Sequence, residues 1–239
     1  MYHLIYGDCL ETMRGSLKQY CADAVVTDPP YGTGGHRRYK AGTGSNPRGR
    51  LTRESWDVWD TSWVSPLQRL LNPKGKAVVF CPVTRIGDLT AAMSEIDMPI
   101  LTHVVWEKTD PKPPMPGRLG NAAEHVLIFG RGQLHTHGES NIWRGSAPRL
   151  GRDGEATGHP YEKPLALVRW LVGLVLPNDW QQGDQTVLDP FAGSGTTLVA
   201  AHQLGFHSIG IERDLKYWDM ARKRMGSTPD PLFTREGTK

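Results

Sequence analysis

Thr186-Val187-Leu188-Asp189-Pro190-Phe191-Ala192-Gly193-Ser194-Gly195-Thr196-Thr197 reads as a strand, a glycine turn and the start of a helix. Val187-Leu188 is a short apolar run bounded by turn residues, the pattern of a strand buried on both faces. Gly193 and Gly195 let the backbone approach a ligand closely. A helix beginning near Thr196 offers unpaired N–H groups to a carboxylate or phosphate. Glu212 follows the next predicted strand, where an acid can accept hydrogen bonds from ribose hydroxyls. A P-loop needs a lysine in such a turn, and none stands here. A dinucleotide turn wants a third glycine, and Leu198 takes that place. A smaller adenosyl ligand with an amino-acid tail fits better. The plainer reading is an ordinary strand–helix turn, against which Asp189-Pro190-Phe191 and Glu212 both count.

Outward from this turn the same grammar repeats. Apolar runs at His3–Tyr6, Ala24–Thr27, Ala77–Phe80, His103–Trp106, Val126–Phe129 and Ser208–Ile211 predict further strands. Pro164 to Leu176 predicts a helix with Leu165, Val168, Val172 and Val175 on one face, and Pro164 suits its first turn. Thr196–Leu204, closed by Gly205, and Leu215–Met225 predict two more. Strands alternating with helices mean an α/β fold, a mostly parallel sheet with helices on both faces. The 239 residues suit one such domain. Thr33 to about Arg53 and Gly130 to Gly158 resist regular structure, as does the Pro-rich piece Asp110–Pro116.

Ala24-Val25-Val26-Thr27-Asp28-Pro29-Pro30-Tyr31-Gly32 places Asp-Pro-Pro-Tyr at the C-terminal end of a buried strand. Ligands of open α/β sheets bind outside those ends. An exocyclic amine on a base is a poor nucleophile because its lone pair is delocalised into the ring. Two acceptors on its hydrogens favour the pyramidal form, and the Asp28 carboxylate and the Pro29 carbonyl can supply them. Pro29 and Pro30 fix φ and hold those acceptors still. Tyr31 can stack on a base drawn out of a duplex. The plainer alternative is a structural Pro-Pro turn capped by an acid.

Formal net charge is only +3, so its distribution matters more than its sum. Thr33 to Arg53 holds no acid but carries Arg37, Arg38, Lys40, Arg48, Arg50 and Arg53, a basic loop suited to a phosphate backbone. A solvated surface loop is the competing reading. Cys9, Cys21 and Cys81 are far apart and read as ordinary reduced thiols, without zinc or disulfide spacing. No apolar run approaches a membrane span of ~20 residues. The N-terminus reads as a strand entering a turn, so a cytoplasmic protein is expected.

Asp28–Tyr31 and Asp189–Thr197 together resemble the catalytic and cofactor motifs of the DNA amino-methyltransferase family. Their order along the chain resembles its circularly permuted beta group. Gly7-Asp8 resembles the family element whose Asp contacts the cofactor adenine, and Glu124–Phe129 resembles its late catalytic strand. His159-Pro160-Tyr161-Glu162-Lys163-Pro164 resembles its His-Pro-Thr-Gln-Lys-Pro element, which lines the cofactor site. The resemblance implies a seven-stranded Rossmann-like methyltransferase sheet with one antiparallel strand, S-adenosylmethionine as cofactor and DNA as partner. It implies one methyltransferase domain: a catalytic half at about 1–129, a short target-recognition segment at about 130–158, a cofactor half at about 159–225 and a tail at 226–239. It assigns Asp8, Asp28, His159, Tyr161, Lys163, Pro164, Asp189, Pro190, Phe191, Ala192, Gly193, Ser194, Gly195, Thr196, Thr197, Glu212 and Arg213 to the cofactor. Within that set Glu212 would hold the ribose, and Lys163 with the glycine turn would face the methionine end. Asp28, Pro29, Pro30 and Tyr31 would hold the target base. Transfer would be a direct displacement needing no metal and no covalent enzyme intermediate. Relatives of this group are often dimers, so a homodimer is a candidate assembly.

Two departures stand out. Tyr161-Glu162 replaces Thr-Gln, which puts contacts through those side chains in doubt. The recognition segment is short, with Arg144 and Arg149, besides Arg131 and Arg152, as candidates for phosphate or guanine contacts. Trp143 reads either as a stacking wedge or as a core anchor. Asp at position 28 favours adenine N6, since cytosine-N4 members more often carry Ser there. Cytosine N4, a non-catalytic nucleic-acid-binding subunit, and a methyltransferase acting on RNA or a protein amide are the alternatives.

Overall fold

The computed structural model describes residues 1–32, 37–39, 51–53, 57–111, 116–117, 119–149, 156–177 and 184–229. Lys40, Arg48, Arg50 and Arg152 lie outside the described residues, and of Arg37, Arg38 and Arg53 only the backbone is described.

The strands are β1 (Tyr2–Tyr6), β2 (Ala22–Thr27), β3 (Arg37–Tyr39), β4 (Leu51–Arg53), β5 (Leu71–Cys81), β6 (Ile100–Lys108), β7 (Ala123–Phe129), β8 (Ile142–Gly145), β9 (Thr186–Asp189) and β10 (His207–Glu212). The helices are α1 (Cys9–Gly15), α2 (Leu67–Leu70), α3 (Ile86–Glu95), α4 (Leu165–Val175), α5 (Thr196–Gln203) and α6 (Leu215–Ser227). Eight strands form one sheet in the order β1-β10-β9-β2-β5-β7-β6-β8. From β1 to β5 neighbours are parallel, β7 runs against both β5 and β6, and β8 runs parallel to β6.

Both faces are covered, which is why the strands read as continuous apolar runs. Side chains alternate across β2: Ala24 and Val26 pack against α4 and α5, while Val25 joins Met13 of α1, Leu67 of α2 and Leu89 of α3 on the other face. In α4 all four predicted core residues are buried, along with Leu167, Leu171 and Leu174. Gly205 ends α5 at φ +80°, where the Phe206 N–H donates back to the Ala201 carbonyl.

The sheet has eight strands where seven were expected. The additional one, β8, lies inside the segment expected to be irregular. Its Ile142-Trp143-Arg144-Gly145 is too short and too mixed to signal a strand. It is held from outside: the Trp106 indole N–H donates to the Gly145 carbonyl at 2.8 Å, and the Trp143 ring meets Trp106 edge-on at 6.4 Å. Trp143 is therefore a packing anchor. The basic loop likewise holds a short antiparallel pair, β3 with β4, where no regular structure was expected. Among the described residues no helix is long and apolar enough to cross a membrane.

Leu198, in the third-glycine position, is accommodated by a glycine elsewhere. A Cβ on Gly210 of β10 would lie 2.8 Å from Leu198 Cδ1 and 3.0 Å from Ala192 Cβ. The close approach of helix to sheet is kept, but the small residue has moved to the neighbouring strand. Gly210→Val is expected to cost about 1–3 kcal/mol by overpacking. Urea denaturation followed by circular dichroism checks it, and unchanged stability would mean this contact yields freely.

Candidate active site

β9 and β2 are neighbours, but the chain leaves them in opposite directions: β9 continues through α5 to β10, and β2 towards β5. Such a reversal opens a crevice at the C-terminal strand ends. The ends of β1, β2, β9 and β10 meet there, around a cleft of about 960 Å³ that includes open solvent. Both motifs sit on it. They are joined beneath by a buried bond, in which the Thr27 hydroxyl donates to Asp189 Oδ1 at 2.7 Å. Asp189 Oδ1 also accepts the Phe191 N–H at 3.0 Å.

On one wall lie Asp28, Pro29, Pro30 and Tyr31. Asp28 Oδ2 meets Lys163 Nζ at 2.6 Å. Its buried Oδ1 makes no well-formed hydrogen bond among the described residues, while the Tyr31 hydroxyl lies close enough to the carboxylate to favour its charge. Burial pushes the Asp28 carboxyl above its ordinary range, with Lys163 opposing the shift and Glu124 adding to it. The Tyr31 phenol is held well above its ordinary value by burial and by the Asp28 and Glu124 charges, so it stays protonated.

On the opposite wall Glu212 accepts the Gly193 N–H through Oε2 at 2.8 Å and the Asp214 N–H through Oε1 at 2.7 Å. Each oxygen keeps a further lone pair for a ligand hydroxyl. Asp8 caps α1, accepting from Leu10 and Glu11 N–H at 2.9 and 3.2 Å, and Arg213 reaches to 3.9 Å from it. Phe191 and Ile211 supply apolar surface between these acids.

A profile of the DNA methylases that modify N6 or N4 amines matches residues 22–223. The chain belongs to this DNA methylase family. It is 28% identical over 251 aligned residues to the type II methyltransferase M.HinfI of Haemophilus influenzae, covering 93% of this chain and 67% of that one. Against the type II methyltransferase M2.DpnII of Streptococcus pneumoniae the identity is 25%, covering 93% and 88%. The solved structure of an M1.HpyAVI–SAM complex superposes with a TM-score of 0.70 at 25% identity, over 94% of this chain and 99% of that one. The cytosine-N4-specific PvuII methyltransferase shares the fold, with a TM-score of 0.68 at 16% identity over 99% and 90%.

Within this N6/N4 DNA methyltransferase the expected site residues divide. Asp8, Asp28, His159, Tyr161, Lys163, Pro190, Phe191, Gly193, Glu212 and Arg213 line the cleft. Asp189, Ala192, Ser194, Thr196 and Thr197 are buried behind it. Ser194 and Thr196 face backwards, where Arg224 Nη1 reaches their hydroxyls at 3.4 and 2.9 Å. Gly195 serves packing: at φ +81° its Cβ would stand 3.1 Å from Ala221 Cβ of α6. Pro164 lies outside the cleft, in a second hollow with Glu162 and Arg224. That hollow explains the departure at Glu162, which pairs with Arg224 at 2.8 Å and accepts the Thr157 N–H and hydroxyl, both at 2.8 Å.

Lys163, expected at the methionine end of the cofactor, lines the cleft and reaches the Asp28 carboxylate there. Arg144 and Arg149 are exposed but paired, with Glu107 at 2.9 Å and Asp110 at 2.6 Å. Surface pairs of this kind are worth ~0–1 kcal/mol, so a phosphate can compete for them. Sequence reading missed Asp57, a buried cleft residue accepting the Gly32 N–H at 2.8 Å, and Tyr217, whose ring meets His159 at 4.3 Å. Neither lies in a motif; only the fold brings them in. Among the described residues no three His, Cys, Asp or Glu side chains group to hold a metal.

Burial pushes the Asp189 carboxyl up to about 6. Below the ordinary carboxylate value of ~3.9 its stabilising contribution is complete, and it is lost as pH rises through the folded value. Asp189→Asn keeps an acceptor for Thr27 and removes the titration. The variant is expected to gain on the parent by roughly 2 kcal/mol between pH 4 and pH 7. Paired urea titrations at the two pH values measure this, and a pH-independent difference would refute a protonated Asp189.

Proposed function

We propose that the enzyme transfers a methyl group from S-adenosylmethionine to the N6 amine of adenine at specific sites in DNA. The observation that carries this reading is the buried Asp28 Oδ1, without a well-formed hydrogen bond among the described residues, on the wall of the cleft that Glu212 and the glycine turn also line. An unsatisfied buried acceptor costs ~1–3 kcal/mol, so the site favours a ligand that brings an N–H. A flipped-out adenine brings one on its exocyclic amine. Asp28 accepts one amine hydrogen and the Pro29 carbonyl the other, which draws the lone pair out of conjugation. Tyr31, neutral and beside them, stacks on the base.

The donor set of the opposite wall fits the cofactor. Glu212 and Asp8 offer acceptors for hydroxyl and amino groups, and Phe191 and Ile211 offer apolar surface for an adenine ring. When bound, S-adenosylmethionine supplies a methyl group on a positively charged sulfur that leaves as a neutral thioether. The chain's own part is to hold the amine, exclude water and keep the two walls in register through Thr27 and Asp189.

In this reading residues 1–129 carry the target base, 159–225 the cofactor, and the segment around 130–158 the sequence recognition. The basic loop and its pair β3–β4, with Arg144 and Arg149, track phosphates. Asp at position 28 supports adenine over cytosine.

The test is to express the protein in a methylation-deficient host, digest the DNA and identify the modified nucleosides by mass spectrometry. N6-methyladenine is expected, and 4-methylcytosine alone would overturn the choice of base. Asp28→Ala is expected to abolish transfer while calorimetry shows S-adenosylmethionine still bound. Full turnover in that variant would remove Asp28 from the reaction.

A further inference from the structure

Lys163 does not hold Asp28 alone. Its Nζ stands 2.6 Å from Asp28 Oδ2 and 3.3 Å from Glu124 Oε2. Glu124 Oε1 in turn meets Lys108 Nζ at 2.7 Å. The four charges alternate, from β6 next to the edge strand, through β7, to the segment before α4 and the end of β2. The lysine ammonium also lies over two rings, Phe80 at 5.0 Å and Tyr31 at 5.4 Å. An ammonium seated on two rings and ion-paired with two carboxylates has little freedom to swing away. Lys163 and Glu124 are both largely buried, 9% and 19% exposed at the side chain, so removing either leaves its partner's charge less compensated.

We propose that Glu124 is a positioning residue for methyl transfer. By holding Lys163 on Asp28 Oδ2, it commits one oxygen of the catalytic carboxylate to the lysine and leaves Oδ1 for the target amine. This rests on the reading of Asp28 as the amine's acceptor. A carboxylate free to rotate would offer the amine either oxygen at varying angles. One pinned at Oδ2 presents Oδ1 in a single direction, and orientation of this kind is a large part of catalytic rate.

The same chain sets the charge of Asp28. The groups facing that carboxylate are Lys163, Glu124 on β7 and Tyr31 on its own turn, with Asp189 on β9 coupled to it. Lys108 on β6 acts on it through Glu124, and the Cys81 thiol on β5 acts on Tyr31. Desolvation works against the Glu124 charge, but Lys163 and Lys108 outweigh it and its carboxyl lies below the ordinary range. Glu124 thus stays ionised where Asp28 titrates. Removing the Glu124 charge relieves a repulsion on Asp28, so the acid limb of the rate profile should move to lower pH. Removing the Lys163 charge should move it to higher pH.

The experiment measures transfer of tritiated methyl from S-adenosylmethionine to genomic DNA of a methylation-deficient host, across pH, for the full chain. Glu124→Gln is expected to lower kcat by roughly tenfold to a hundredfold, with little change in KM for the cofactor. Its acid limb should move down, and that of Lys163→Met up. Glu124→Asp, which keeps the charge, should hold the parental limb. A loss of rate in Glu124→Gln with no movement of the limb means a packing role and overturns the proposal, as does an unchanged kcat. Should Glu124→Gln not fold, Lys108→Met strains the same chain from its outer end. It should lower kcat less severely, with cofactor KM unchanged, and parental kcat there overturns the proposal. Asp28→Asn, assayed alongside, separates the two levels: turnover retained in that variant defeats the amine-acceptor reading itself.

Discussion

The Thr27 hydroxyl and the Asp189 carboxylate meet at 2.7 Å in the protein interior, across 162 positions of sequence. One of these residues ends the strand that carries Asp-Pro-Pro-Tyr, and the other ends the strand that carries the glycine turn. Their strands touch only briefly in the ladder, with Ala24 opposite Val187 and Val25 opposite Leu188. Past that point the main chains diverge to form the crevice. The side-chain bond therefore fixes the spacing of the two walls where backbone pairing no longer can. Burial pushes the Asp189 carboxyl up to about 6, and its other partners are the Thr197 hydroxyl and the Phe191 N–H at the start of the glycine turn. A single carboxyl group thus links β2, β9 and the glycine turn that follows β9.

Charge is distributed unequally about that link. The wall formed by Asp8, Glu212 and Asp214 is acidic and has its main-chain N–H partners already in place. The wall formed by Asp28 carries its countercharge on a side chain, Lys163, and is neutralised by an alternating series that runs back to Lys108. Backbone N–H groups hold a carboxylate rigidly and leave its other lone pairs accessible. A lysine occupies one oxygen and withholds it from a ligand. The first arrangement suits polyhydroxyl recognition, and the second suits a carboxylate that must present one atom in one direction. Both are consistent with a DNA methyltransferase in which one wall binds and the other wall aligns.

The glycine turn shows how far a motif can be read before packing intervenes. Gly193 lines the cleft, whereas Gly195 is small because Ala221 of α6 lies against it. Ser194 and Thr196 point away from the cleft to Arg224, whose other partner is Glu162. The change from Gln to Glu in the His-Pro element has its physical counterpart in that buried guanidinium. Glu162 consequently ties the segment preceding Lys163 to the base of the cofactor turn.

From the sequence alone came the seven central strands, three helices carrying the core, the two motif turns and their common edge of the sheet. They were legible because burial on both faces leaves continuous apolar runs, and because Gly, Pro and Asp punctuate them. The remaining elements were decided by contacts between distant residues. β8 exists because Trp106 supplies a donor and a ring for it, and α1 is a short helix with a cap and few buried residues. Asp57 and Tyr217 belong to no motif and reach the cleft only through the fold. Lys163 was legible as a site residue, but its pairing with Asp28 and Glu124 was not, since spacing along a chain says nothing about which nearby acids a four-carbon side chain will meet. Local pattern fixes which residues are buried and where the chain turns. Which side chains then face one another across the cleft follows from how the strands are ordered in the sheet, and that order is a property of the packed whole.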